Sequence, residues 1–211
     1  MRATGRPTIR SGRSAQPDPP PIGAARAGKV LPEQNAGVAL AVCLLFDPET
    51  DRAVRRLWAA LEEAGIGTLL SHTHRRHVPH LSYAVLRTFD VEAVTAAVEE
   101  LPPGPALDLR FNAVGLFPRG RAALVLPASQ QLLARQLAVV EAVTGTGADL
   151  HWHYRPGRWI PHCSLTTGTS QELLPTAAVR AFDVLPLEGS AVSAALVDSG
   201  TGQRWPLVNL P

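Results

Sequence analysis

Cysteine is scarce in this chain. Cys43 and Cys163 are the only two in 211 residues, far apart and each inside an apolar stretch. Both fit reduced packing residues better than a disulfide framework or a thiolate metal site. No apolar run approaches the roughly 20 residues that a membrane-spanning helix requires. With 45% apolar and 18% charged content, the chain reads as one or two soluble domains with a core of ordinary size. Lysine is almost missing, one against nineteen arginines, while Ala, Pro and Gly abound; this is the mark of a GC-rich coding sequence and says nothing about mechanism. No glycine-rich phosphate loop follows any strand-like segment, so the nucleotide-binding fingerprints fail.

A broad basic field is also lacking. The net charge is +2, but residues 1–35 hold Arg2, Arg6, Arg10, Arg13, Arg26 and Lys29 against Asp18 and Glu33, and the remainder is acidic by two charges. A folded part of that balance does not track long duplexes. The first 35 residues also contain six prolines and no apolar periodicity. They are expected to be a disordered Arg/Pro-rich extension, because they cannot bury enough surface to offset the cost of ordering. They lack the apolar core of a secretory signal and any Arg-Arg pair, so a cytoplasmic protein is expected. An arginine arm that draws RNA toward the domain is the functional alternative for this segment.

From residue 36 to 211 one domain is expected, in which strand-like and helix-like segments alternate. Residues 38–46 read as a buried strand. Residues 47–64 read as a helix, with Asp47 as N-cap, Val54, Leu57, Trp58 and Leu61 at helical spacing, and Gly65 as the stop. A strand over 80–86, a helix over 91–101, a strand over 106–117 and a turn at 118–121 follow. The order then begins again: strand 122–126, helix 129–143, strand 162–166, helix 171–182, strand 191–198, and a closing hairpin into 205–208. The second half repeats the first at about 80 residues, which indicates a duplicated αβ unit. The expected fold is α+β, with two pseudo-symmetric lobes.

The repeat is sharpest at one motif. Arg76-His77-Val78-Pro79-His80-Leu81-Ser82 aligns with Arg158-Trp159-Ile160-Pro161-His162-Cys163-Ser164 at an offset of 82 residues. A lone His-x-Ser/Thr is expected about once by chance in this composition, whereas a second full copy in register with the larger repeat is not. In a strand, His80 and Ser82 point to one side and Leu81 and Tyr83 to the other; His162, Ser164 and Thr166 behave likewise. Two such pairs facing each other suit in-line displacement at phosphorus. One imidazole takes a proton from the nucleophile, the other gives one to the departing oxygen, and the serine hydroxyls donate to the non-bridging oxygens. No metal or other cofactor is required. The plainer alternative is a pair of strand histidines left over from duplication, which a matched hydroxyl beside each disfavours.

With these residues in place, the chain resembles the two-histidine (2H) phosphoesterase superfamily, in particular its bacterial 2′-5′ RNA ligase-like branch. The resemblance spans residues 37–209. It implies two mainly antiparallel sheets around a central cleft, with helices outside. It also implies metal-independent opening of 2′,3′-cyclic phosphodiesters to 2′-phosphates, with possible reverse ligation. On that basis His80 and His162 are the catalytic pair, the first donating and the second accepting a proton in hydrolysis, and Ser82 and Ser164 bind phosphate. Both hydroxyls are Ser where Thr is the commoner family choice.

Arg76 and Arg158, four residues before each histidine, are candidate substrate-binding residues, with Arg75 and Arg155 nearby. Tyr83 is expected in the core. Trp152, Tyr154 and Trp159 are expected to pack, with base stacking as the alternative. His72, His74, His77, His151 and His153 offer a rival zinc reading, weakened because no carboxylate lies among them. The expected partners are RNA termini or small cyclic nucleotides, acted on by a monomer away from membranes. The competing class is a non-catalytic RNA-end or nucleotide-binding module using the same cleft.

Overall fold

The computed structural model describes residues 39–209. The expectations for residues 1–35, and for the start of the first strand at 38, lie outside the described residues. Strand β1 (Leu40–Phe46) runs into helix α1 (Pro48–Glu63), followed by β2 (His80–Leu86) and α2 (Val91–Glu99). Then come β3 (Leu107–Phe111), β4 (Ala113–Phe117), β5 (Arg121–Val125), α3 (Gln130–Gly145) and β6 (His162–Ser164). Helix α4 (Leu174–Phe182), β7 (Leu187–Asp198) and β8 (Arg204–Pro206) close the chain. The fold is α+β, as expected from sequence. Among the described residues no helix is long and apolar enough to cross a membrane.

Among the described residues the strand pairings are all antiparallel and form two sheets, β2-β1-β7-β3 with β8 added to β7, and β4-β5-β6. Each repeat lends a strand to the other. Central strand β1 lies between β2 and β7, and central strand β5 lies between β6 and β4. The segment expected as one strand over 106–117 is therefore two. Leu107, Leu109 and Phe111 alternate into the core of the first sheet, and Asn112 breaks the run while its amide donates to the Val125 carbonyl at 3.2 Å. The next five residues then pair with β5 in the second sheet.

Local chemistry explains the element ends. The Asp47 carboxylate caps α1, accepting from the Glu49 and Thr50 amides at 2.9 Å each, and its other oxygen accepts from the Thr50 hydroxyl at 2.6 Å and the Ser190 amide at 2.7 Å. One side chain thus ties a helix start to β7. Burial disfavours this charge, yet those donors overcome it and bring the Asp47 pKa down from 3.8 to about 2. Gly65, at φ 77°, follows the end of α1 as the sequence indicates. The helix expected over 171–182 begins as a 3₁₀ turn (Gln171–Leu173); α4 proper starts at Leu174 with a proline in its first turn, where no amide donor is needed. The tight turn between β4 and β5 needs Gly120, whose φ is +68° and where a Cβ would strike the Thr169 backbone.

The main core is built from the outward faces of the sheets and the helices on them. It includes Leu40, Val42, Leu44, Val54, Leu57, Trp58, Leu81, Tyr83, Leu124 and Leu165. The opposite face of the first sheet is paved with the small side chains Ala41, Cys43, Ala195 and Val197. Low relief on that face leaves room for a cleft.

Candidate active site

The two motif strands approach each other, and their four polar side chains converge on one cavity of about 170 Å³. His80, Ser82, His162 and Ser164 all line it, together with Ala39, Ala41, Leu69, His77, Tyr154 and Ser199. Strand register produces this convergence. Ser82 lies opposite Cys43 and His80 opposite Leu45, whereas Ser164 lies opposite Ala123 and His162 opposite Val125. A bulge at Tyr83 breaks the alternation of β2, so that Tyr83 and Ala84 are both buried while His80, Ser82 and Val85 stay on the cleft side.

Each histidine is fixed by the same device. The His80 Nδ1 lies 2.7 Å from the Val78 carbonyl, and the His162 Nδ1 lies 2.7 Å from the Ile160 carbonyl. A carbonyl only accepts, so Nδ1 carries a proton in both rings and Nε2 is the nitrogen left for chemistry. The two rings are polarised in opposite senses. Burial disfavours the His80 imidazolium, but the Cys43 sulfur and the Val78 carbonyl favour it and hold its pKa up to about 9. Burial lowers the His162 pKa, and the nearby His80, Arg121 and His153 lower it further, against the pull of the Ile160 carbonyl.

The sites are held together across the two repeats by tryptophans. The Trp58 indole, on α1, donates to the Ser164 carbonyl at 3.1 Å, and the Trp159 indole, just before β6, donates to the Ser82 carbonyl at 3.0 Å. Each motif strand is thus anchored by a ring from the other repeat, and both rings are buried. Trp159 packs in the core as expected, and so does Tyr83. Trp152 is instead exposed, with the Arg158 guanidinium 4.5 Å from its ring centre.

The structure brings the His/Ser pairs together but not the two arginines. Arg158 stands over Trp152, and Arg76 lines a neighbouring depression and donates to the Thr201 carbonyl. Thr166, expected on the same side as His162, does not reach the cleft. β6 ends at Ser164, and the Thr166 hydroxyl is buried between the Ala122 amide at 2.8 Å and the Gly120 carbonyl at 3.0 Å. The histidine-rich loops stack on themselves, with ring centres 5.7 Å apart for His72 and His77, 4.1 Å for His74 and His77, and 5.0 Å for His151 and His153. Among the described residues no group of three or more His, Cys, Asp or Glu is arranged to hold a metal ion.

Sequence reasoning missed two groups beside the paired side chains. Cys43 Sγ is 3.6 Å from Ser82 Oγ, and Arg121 is near enough to lower the His162 pKa. Tyr154, expected to pack with base stacking as the alternative, lines the cavity wall. The Tyr154 segment is clamped by Gln136, which donates to the carbonyls of Tyr83 at 3.2 Å and Tyr154 at 2.8 Å. Only the pairing of β1 with β2 and of β5 with β6 could have revealed Cys43 and Arg121.

A cleft between exchanged sheets, with one His-x-Ser strand on each side, defines a two-histidine phosphoesterase-type fold. The family model of the 2′-5′ RNA ligase superfamily matches residues 46–203, and the chain belongs to that superfamily. Among solved structures it is similar to E. coli LigT in apo form, at 13% identity and a TM-score of 0.55, covering 82% of this chain and 95% of that one. E. coli LigT complexed with 3′-AMP matches at 15% identity and a TM-score of 0.54, over 81% and 95% of the respective chains. A crystal structure of a phosphoesterase matches at 17% identity and 0.54, with the same coverage. No protein of curated function matches it in sequence.

Proposed function

We propose that the protein is a metal-independent phosphodiesterase that opens 2′,3′-cyclic phosphodiester ends of RNA or small nucleotides to 2′-phosphates. The observation that carries this reading is the matched pair of imidazoles, each anchored through Nδ1 to the carbonyl two residues before it, in one cavity with Ser82 and Ser164. The complex of E. coli LigT with 3′-AMP supports a nucleotide as ligand class.

In hydrolysis, Nε2 of neutral His162 takes a proton from water as the water oxygen bonds to phosphorus. The bond from phosphorus to the 3′-oxygen breaks, and the His80 imidazolium protonates that oxygen, leaving a 2′-phosphate. His162 leaves the step charged and His80 neutral; exchange with solvent resets both. The opposite pKa shifts support this assignment, which the resemblance also implies, since a ring held charged suits the donor and a ring held neutral the acceptor. Ser82 and Ser164 donate to the non-bridging oxygens as their charge grows. Arg76 and Arg158 are proposed to hold parts of the substrate beyond the cavity. With a 5′-hydroxyl in place of water as the nucleophile, the same steps break the bond from phosphorus to the 3′-oxygen and join the cyclic end to that hydroxyl through a 2′-5′ linkage, which is the ligase direction. The proposed setting is the cytoplasm, with the chain acting as a monomer on RNA termini during RNA processing.

The test is hydrolysis of nucleoside 2′,3′-cyclic phosphates in EDTA by wild type, His80→Ala and His162→Ala, with the product isomer identified. Wild type gives 2′-phosphates, and each variant loses about 10²–10⁴-fold in kcat while nucleotide binding persists. Full activity in either variant overturns the mechanism. Binding without turnover in folded wild type favours the non-catalytic module.

A further inference from the structure

Beside the histidine cavity lies a wider depression of about 740 Å³ that the two-histidine chemistry does not use. Three separate segments supply its cations: Arg55 from α1, Arg75 and Arg76 from the loop before β2, and Arg204 from β8. Among the described residues no acidic side chain lines it. Arg55 is neutralised by Asp51, with Nε 2.6 Å from Oδ2. Arg75, Arg76 and Arg204 form no ion pair among the described residues. Three unpaired guanidinium groups around one concavity repel each other, and that repulsion is relieved when an anion enters.

The depression is not isolated from the cleft. His77 lines both spaces, so that a single imidazole stands between the arginines and the His80/His162 cavity. That ring adds no charge at neutral pH, because burial and the neighbouring His74, His72 and His80 bring its pKa down to about 4. The loop is also fastened across the sheet end. The Arg76 guanidinium donates to the Thr201 carbonyl in the turn between β7 and β8, and the His74 ring lies against Gly202 in the same turn. Residues distant in sequence are thereby held on one wall.

Resting on the activity proposed above, we propose that this depression is a second-phosphate subsite, in which Arg75 and Arg204 hold a phosphate next to the one being opened. The preferred substrate then carries two phosphorus centres. An oligonucleotide end and a nucleotide with a further terminal phosphate share that chemistry; guanidinium forks suit either.

Equilibrium binding of three unreactive product-like ligands to the full chain tests this. They are adenosine 2′-phosphate, adenosine 2′,5′-bisphosphate, and the dinucleotide ApA bearing a terminal 2′-phosphate. At least one two-phosphate ligand is expected to bind wild type about tenfold or more tightly than the single-phosphate ligand, the scale of a charge-assisted contact. Tighter binding of the dinucleotide identifies an RNA end, and of the bisphosphate a small nucleotide. In Arg75→Gln/Arg204→Gln the three dissociation constants fall within about twofold of one another. Arg204→Gln alone, at an exposed strand residue, loses part of the preference. Equal affinities in wild type, or a preference unchanged in the double variant, overturn the subsite. Because binding is read, a wild type that fails to hydrolyse cyclic phosphates counts against the proposed activity and leaves this result standing.

Discussion

Two imidazoles make the same hydrogen bond and have opposite electrostatics. The proposed hydrolysis requires His162 neutral and His80 charged, so kcat/KM is expected to rise with pH below the ordinary histidine value, as His162 deprotonates, and to fall near pH 9, as His80 does. Cys43 favours the charged form of His80 from the adjacent strand. Cys43→Ala is therefore expected to move the alkaline limb to lower pH and leave the acid limb in place, as read from the pH dependence of kcat/KM. A profile identical to wild type would show that the sulfur does not tune the ring. The serines differ from the histidines in what they face. Each presents its hydroxyl to the cavity, while its carbonyl is held by an indole from the other repeat.

At the scale of single elements, Asp47 links the start of α1 to β7 through four accepted hydrogen bonds. Asp47→Ala is expected to destabilise the protein by about 1–2 kcal/mol at neutral pH, the usual cost of losing a cap. The Asp47 pKa is lowered on folding, so its charge stabilises the fold above about pH 4, and that contribution fades as pH falls from there toward 2. Urea unfolding of both proteins should show the gap closing over that window. The same cap was visible in sequence, since Asp-Pro-Glu before a periodic apolar run allows few other readings. The division of 106–117 was not visible. Leu107 to Phe111 alternate and 113–117 are apolar throughout, so both halves read as strand, and no Gly, Pro or charge cluster marks Asn112 as the point where the chain leaves one sheet for the other. The end of β6 at Ser164 was hidden for the same reason, because Thr166 is claimed by the backbone of a neighbouring strand.

Across the whole molecule, strand exchange makes the two sheets one folding unit. β7 completes the first sheet and β4 the second, and Trp58 and Trp159 anchor each motif strand from the opposite repeat. Denaturant unfolding followed by tryptophan fluorescence and by far-ultraviolet circular dichroism is therefore expected to give coincident transitions; separate midpoints would mean independent lobes. Trp159→Phe, which leaves the buried Ser82 carbonyl without its donor, is expected to lower stability by about 1–3 kcal/mol. The sequence by itself determined the duplicated αβ order, the helix cap, and the two His-x-Ser strands with their hydroxyls on the histidine side. These depend on short-range periodicity and on one repeated motif. The tertiary structure alone decided which strands neighbour β1 and β5. It thereby placed Tyr154 at the cavity, Cys43 against Ser82 and Arg121 near His162, and sent Arg76 to an adjoining wall and Arg158 onto Trp152. Pairing between distant strands is fixed by burial over the whole core, and no local pattern of residues records it.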